Sequence, residues 1–161
     1  MSEAATGQLA EERVRELVAQ YHDAYERRDK AAVADLFAAD AVMSLAPGTF
    51  RGAEGIRRVL DWDWRATPTI RFRPMGVDVL VWGNVAVCEV TVEAAYAGVR
   101  YEYPNVRVFE FDDDGKIRAL RSYYDKLGIE QRIARELPGV KGRVLRLMLD
   151  RLVAEGEKGL H

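Results

Sequence analysis

The chain has 161 residues, with 24 basic and 26 acidic side chains, a net charge of −2, and 48% hydrophobic against 31% charged residues. That is ordinary globular composition with enough chain for one real core, and the slightly acidic balance argues against a nucleic-acid protein, which is usually basic. No apolar run nears the roughly 18 residues of a membrane span, and the single cysteine, Cys88, excludes an internal disulfide and fits a reducing, cytoplasmic setting.

The opening MSEAATGQLAEER is polar and acidic and lacks the apolar stretch of a signal peptide; residues 1–8 read as a disordered lead. From Leu9 to Arg28, apolar residues fall at Val14, Leu17, Val18, Tyr21, Ala24 and Tyr25, the spacing of a helix with one buried stripe. His22 follows Tyr21 about 100° round that helix and is expected to face solvent. Asp29 reads as the N-cap of a short second helix with Val33, Leu36 and Phe37 on one face. Ala41–Ala46 is a short strand closed by the Pro47-Gly48 turn. A third helix follows Gly52, turns Ile56, Val59, Leu60 and Trp64 inward, and ends before Pro68.

Four strand-like runs come next: Thr69–Trp82, Val85–Tyr96, Tyr101–Phe111 and Ile117–Asp125. Gly83-Asn84, Ala97-Gly98 and the acidic turn Asp112-Asp113-Asp114-Gly115-Lys116 separate them, which predicts an antiparallel meander. Side chains alternate along a strand, so Asn105, Arg107 and Phe109 share one face, with Val106, Val108 and Glu110 on the other. Leu120, Ser122 and Tyr124 likewise stand apart from Ala119, Arg121, Tyr123 and Asp125. Pro104 cannot donate to a ladder and implies an edge or a bulge, which leaves the facing of Tyr101 and Tyr103 open. Two helices, Leu127–Leu137 and Val140–Ala154, close the chain, broken by Leu137-Pro138-Gly139. The last carries an apolar stripe of Val144, Leu145, Met148, Leu149 and Leu152 that must pack on the domain or on a partner. Asp125 reads as a helix cap, and Arg71 and Arg73 as a solvated strand face.

Three helices followed by a meander make an α+β layout. A strongly curved antiparallel sheet wrapped round a long helix leaves a pocket at its open end. With no His/Cys/Asp cluster at ligand spacing, no phosphate loop and no dinucleotide fingerprint, neither a metal nor a cofactor is expected.

The segments YHDAYERRDKAAVADLFAADAVMSLAPGTFRGAEGIRRVL and FEFDDDGKIRALRSYYDK resemble the nuclear transport factor 2-like superfamily, within it the group of SnoaL-like polyketide cyclases, limonene-epoxide hydrolases and ketosteroid isomerases. The resemblance implies a cone domain over residues 9–137, followed by a C-terminal helical extension at 138–161. It also implies a small, apolar, cyclic or polyketide-like ligand. The Arg-x-Asp pair and last-strand aspartate of the hydrolases fall on Glu89, Thr91 and Ser122, and their first-strand tyrosine and asparagine on Met43 and Leu45. The isomerase base falls near Leu45 and its protonated aspartate near Arg107, so neither acid is kept; its oxyanion tyrosine matches Tyr21.

In the family register Glu89 and Arg107 face inward on neighbouring strands. There Glu89 would move a proton, and Arg107 with Tyr21 or Asn105 would hold an oxyanion; an ion pair that merely fixes the sheet is the plainer reading of the two residues. Met43, Leu45, Trp62, Thr91, Tyr103, Asn105, Phe109, Ser122 and Tyr124 would line the pocket, Trp62 with Asp63 and Trp64 at its mouth. The leading expectation is a cofactor-free acid/base enzyme performing cyclisation, isomerisation, dehydration or epoxide opening. The alternative is a non-catalytic binding or dimerisation module pairing through the outer sheet face at Val106, Val108 and Tyr123. A cavity filled by Met43, Leu45 and Phe109 would favour the module, and an open one floored by Glu89 the enzyme.

Overall fold

The computed structural model describes residues 8–76, 79–156 and 158. The expected lead lies outside these residues except for Gln8. Helix α1 (Glu11–Glu26) buries Val14, Leu17, Val18, Tyr21, Ala24 and Tyr25, the stripe its periodicity announces. Helix α2 (Lys30–Asp35) starts at Asp29, whose carboxylate accepts from the Ala32 N–H at 3.0 Å. Helix α3 (Gly52–Ala66) buries Ile56, Val59, Leu60 and Trp64. Ahead of it, β1 (Phe37–Leu45) and β2 (Gly48–Arg51) form a hairpin, so the first strand is longer than expected and has an unforeseen partner.

The run expected as one strand over Thr69–Trp82 is two, β3 (Thr69–Pro74) and β4 (Leu80–Trp82). Both pair antiparallel with the long β5 (Val85–Tyr96), at its far and near ends respectively. Strand β6 (Val99–Phe111) pairs with β5 along its whole length, and β7 (Ile117–Tyr123) pairs with β6. The order β2-β1-β7-β6-β5-β3, with β4 also on β5, makes one open, curved seven-stranded sheet in which only β1 and β7 run parallel. Its concave face closes on α1 and α3, and Ala86, Cys88, Val90 and Val92 of β5 join Phe109, Phe111, Ile117 and Leu120 in that core.

The acidic hairpin turn is built as its residues suggest. Asp112 Oδ1 accepts from the Asp114 and Lys116 N–H groups at 3.1 and 2.7 Å. Gly115 holds φ at +79° against Leu17 of α1, where a side chain would meet both a strained backbone and the helix. Pro104 sits where β6 has only one neighbour, because the pairing with β7 begins at Val106 opposite Tyr123. The β5–β6 register runs through it unbroken, so it marks a free edge and not a bulge. Tyr101 and Tyr103 therefore keep step with Asn105 and face inward.

After β7, Asp125 caps α4 (Lys126–Glu136), its carboxylate accepting from the Gly128 N–H at 2.9 Å. Helix α5 (Gly139–Gly156) packs against α4. Of its expected stripe only Leu149 is buried and Leu145 half-buried, while Val144, Met148 and Leu152 stay exposed. Among the described residues no helix is long and apolar enough to cross a membrane.

Candidate active site in the cone

The β5–β6 ladder decides which side chains enter the cone. Cys88 stands opposite Arg107 and Glu89 opposite Val106. Arg107 is thus turned inward, at 6% exposure, and Glu89 is exposed on the convex side. The expected pairing of Glu89 with Arg107 is corrected by this register. Side chains alternate with a period of two, so aligning the family's inward position one residue late puts an outward residue in the site. Thr91 shares the outward set and leaves the pocket for the same reason. Trp62 is 48% exposed on α3 and does not reach the pocket, which its neighbour Asp63 does.

The remaining expected residues converge. Arg107, Asn105 and Tyr103 of β6, Leu120 and Ser122 of β7, and Tyr124 just beyond it line a cavity of about 30 Å³. Met43 and Leu45 of β1, Tyr21 and Tyr25 of α1, Asp63 of α3 and Ile70 of β3 complete the wall. Phe109 lies deeper, fully buried with its ring 5.3 Å from that of Tyr21. Ser122 Oγ donates to Asn105 Oδ1 at 2.9 Å, so these two polar side chains satisfy each other. Tyr103 packs on Tyr124 at 5.2 Å between ring centres, and the Tyr124 hydroxyl meets the Ala46 backbone at the end of β1.

Two charged groups dominate the site. The Tyr25 hydroxyl donates to Asp63 Oδ2. Burial pushes the Asp63 carboxyl above its ordinary range, against the opposing pull of the Tyr25 hydrogen bond and of Arg107 and Arg28. Arg107 lies over the Phe72 ring at 3.9 Å, with the Tyr21 and Tyr25 rings at 5.7 and 6.0 Å. Its Nε and Nη1 are buried without a hydrogen-bond partner, as is the Tyr21 hydroxyl. Burial also raises the Tyr21 and Tyr103 phenols, so both stay neutral and can donate.

His22 does not face solvent. Its ring is half-buried 4.9 Å from Phe72, and burial reinforced by Arg107 pushes it down to about 3, which keeps it neutral. From the sequence, Asp63 is expected only near the mouth and Tyr25 only in the core stripe of α1. The signal available was an acid on the third helix one residue before the inward Trp64, opposite a helix carrying tyrosines at 21 and 25.

Among the described residues no three His, Cys, Asp or Glu side chains gather closely enough to hold a metal ion. A larger basin of about 580 Å³ lies among Arg71, Arg73, Glu93, Arg100, Glu102 and Arg132, bordered by the inward-facing Tyr101 and by Ile70, which also lines the inner cavity. The basin is open, Arg73 is already paired with Glu93, and it holds none of the buried unpaired atoms. The buried, unpaired atoms of Arg107 and Tyr21 line the smaller cavity.

Residues 18–120 match the SnoaL-like domain, and the chain belongs to that family. No curated protein sequence matches the chain significantly. Among solved structures it is similar to a protein of Xanthomonas campestris pv. campestris assigned as a polyketide cyclase, with a TM-score of 0.69 at 21% identity over 76% of this chain and 97% of that one. A ketosteroid isomerase-like fold from Catenulispora acidiphila, solved with trimethylamine, gives 0.66 at 18% identity over 73% and 91%. The epoxide hydrolase/cyclase-like enzyme SalBIII, which has a role in pyran ring formation in the polyether salinomycin, gives 0.64 at 19% over 72% and 93%. At these identities the likeness establishes the nuclear transport factor 2-like cone, and one fold hosts many chemistries.

Proposed function

We propose that this protein is a cofactor-free acid/base enzyme acting on a small, largely apolar, cyclic or polyketide-like molecule at the cone pocket. Asp63, set by Tyr25, moves the proton. Arg107 holds the oxygen that carries negative charge, with Tyr21 or Tyr103 as neutral donors beside it. Cyclisation, isomerisation, dehydration and epoxide opening all fit that pair of roles, and the family relatives supply precedents for cyclase and isomerase names.

The observation that carries the reading is Arg107. A guanidinium with two buried, unsatisfied donors is expensive in a fold that needs it only for structure, and it faces the same cavity as a carboxyl held above its usual range. The free thiol of Cys88 fits the cytoplasmic setting this proposal assumes. A thermal-shift screen of polyketides, terpenoid epoxides and steroids, followed by NMR of each hit for turnover, tests it. Hits that are converted by the wild type and left unchanged by Asp63→Asn support the proposal; hits converted equally by both remove it.

A second reading draws on two observations. The cavity is small and walled by Met43 and Leu45, which is closer to the outcome expected of a binding module. The convex face presents Val106, Val108 and Tyr123 alongside Leu80 and Trp82, the last 86% exposed. That apolar surface supports a homodimer through the outer sheet face, with or without catalysis in the cone.

A further inference from the structure

Building on the reading of the cone as the ligand site, we propose that the ligand is an organic carboxylate whose charged head sits at Arg107 and whose body extends outward between Leu45 and Tyr124. The first ground is charge. Among the described residues Arg107 makes no salt bridge, and the acid in its cavity, Asp63, accepts from the Tyr25 hydroxyl instead. A buried guanidinium whose Nε and Nη1 have no hydrogen-bond partner can still take an anion's oxygens.

The second ground is size. The inner cavity, at about 30 Å³, has room for about two water molecules, the space of one carboxylate's two oxygens. No cyclic substrate fits there whole. An open groove of about 510 Å³ lies at the β1–β7 edge, against Ser44 and Ala46 and reaching the outward-facing Arg121 and Tyr123. Leu45, Ser122 and Tyr124 line both spaces, so these three side chains form the partition between them. Tyr124 reaches across it to the Ala46 backbone. A molecule with an anionic head and an apolar body would fill the inner space with the head and run its body past Leu45 and Tyr124 into the outer one. The apolar part of the partition then touches the apolar part of the ligand, and the guanidinium meets the charge.

Isothermal titration with octanoate and octan-1-ol as probes tests this. They share a chain and differ in the head, and wild-type protein is expected to bind octanoate at least about tenfold more tightly, since a charge-assisted contact is made by the carboxylate alone. Arg107→Met is expected to abolish that preference while leaving octanol binding in place. Leu45→Trp, which narrows the passage between the two spaces, is expected to weaken octanoate about tenfold. Equal binding of the two probes by the wild type, or a preference that survives Arg107→Met, overturns the proposal. Equal binding together with Asp63-dependent turnover of neutral substrates would overturn this inference alone. Octanoate preference without any Asp63-dependent turnover would overturn the catalytic reading alone.

Discussion

The Tyr25 hydroxyl donates to the Asp63 carboxylate across the gap between α1 and α3, joining two residues 38 apart in the chain at the wall of the cone. This contact lowers the carboxyl that burial raises. Tyr25→Phe is therefore expected to move the Asp63 titration to higher pH, because the opposing hydrogen bond is lost while burial remains. Carbon-13 NMR of the Asp63 carboxyl reads the midpoint directly; an unchanged or lower midpoint counts against the arrangement.

The same carboxyl has a sign for stability. Its folded-state affinity for a proton exceeds that of the unfolded chain, so its contribution is full below the unfolded value near 3.9. It is lost as pH rises through the raised folded value. Asp63→Asn is thus expected to raise the melting temperature at pH 7, with the gain shrinking toward pH 3.5. A loss of stability at pH 7 would contradict it.

His22 acts in the opposite sense. Its folded value is pushed from 6.5 to about 3 by burial and Arg107, so the stability of keeping it neutral is present above pH 6.5 and drains away as pH falls toward 3. The fall in melting temperature between pH 7 and pH 4.5 is expected to be smaller in His22→Phe than in the wild type. Equal falls would place the ring in water.

Function and stability separate at two neighbours in β6. Phe109 is fully buried against Tyr21, and Phe109→Ala is expected to cost about 3–5 kcal/mol in denaturant unfolding. Arg107→Met replaces an unpaired buried charge with an apolar side chain of similar reach. It is expected to stabilise the ligand-free protein by about 1–4 kcal/mol, or roughly 2–4 °C for each kcal/mol in a chain of this length. Destabilisation by Arg107→Met would assign Arg107 a structural role.

Much of this was legible in the sequence. Periodicity gave the stripes of α1 and α3, Asp29 and Asp125 read as caps, and alternation grouped Asn105, Arg107 and Phe109 of β6 on one face, and Leu120 and Ser122 of β7 with Tyr124 on one face, which the family resemblance turned inward. What misled was the strand with the weakest facing signal. In VAVCEVTVEAAY of β5 the inward set is Ala86, Cys88, Val90, Val92 and Ala94, and both sets contain valines, so composition alone does not choose between them. A one-residue slip there exchanged Cys88 for Glu89. Asp63 was obscured for a different reason: an acid one step from a buried tryptophan on an amphipathic helix reads as its polar flank unless a tyrosine on another helix is known to meet it.

The outer face carries its own expectation. Val106→Lys places a charge on the convex face between Tyr123 and Glu89, its two cross-strand neighbours. By light scattering at high micromolar concentration the wild type is expected to run as a dimer and this variant as a monomer. A wild-type monomer under those conditions removes the proposed interface.

The most direct test follows exchange of carbon-bound hydrogen by proton NMR in D₂O, using a panel of enolisable ketones and keto acids with wild-type, Asp63→Asn and Glu89→Gln proteins. Acceleration by the wild type and by Glu89→Gln, with Asp63→Asn at the buffer rate, is the expected result. Wild-type rates in Asp63→Asn, loss of exchange in Glu89→Gln, or no acceleration by any of the three would contradict a proton-transfer site built on Asp63.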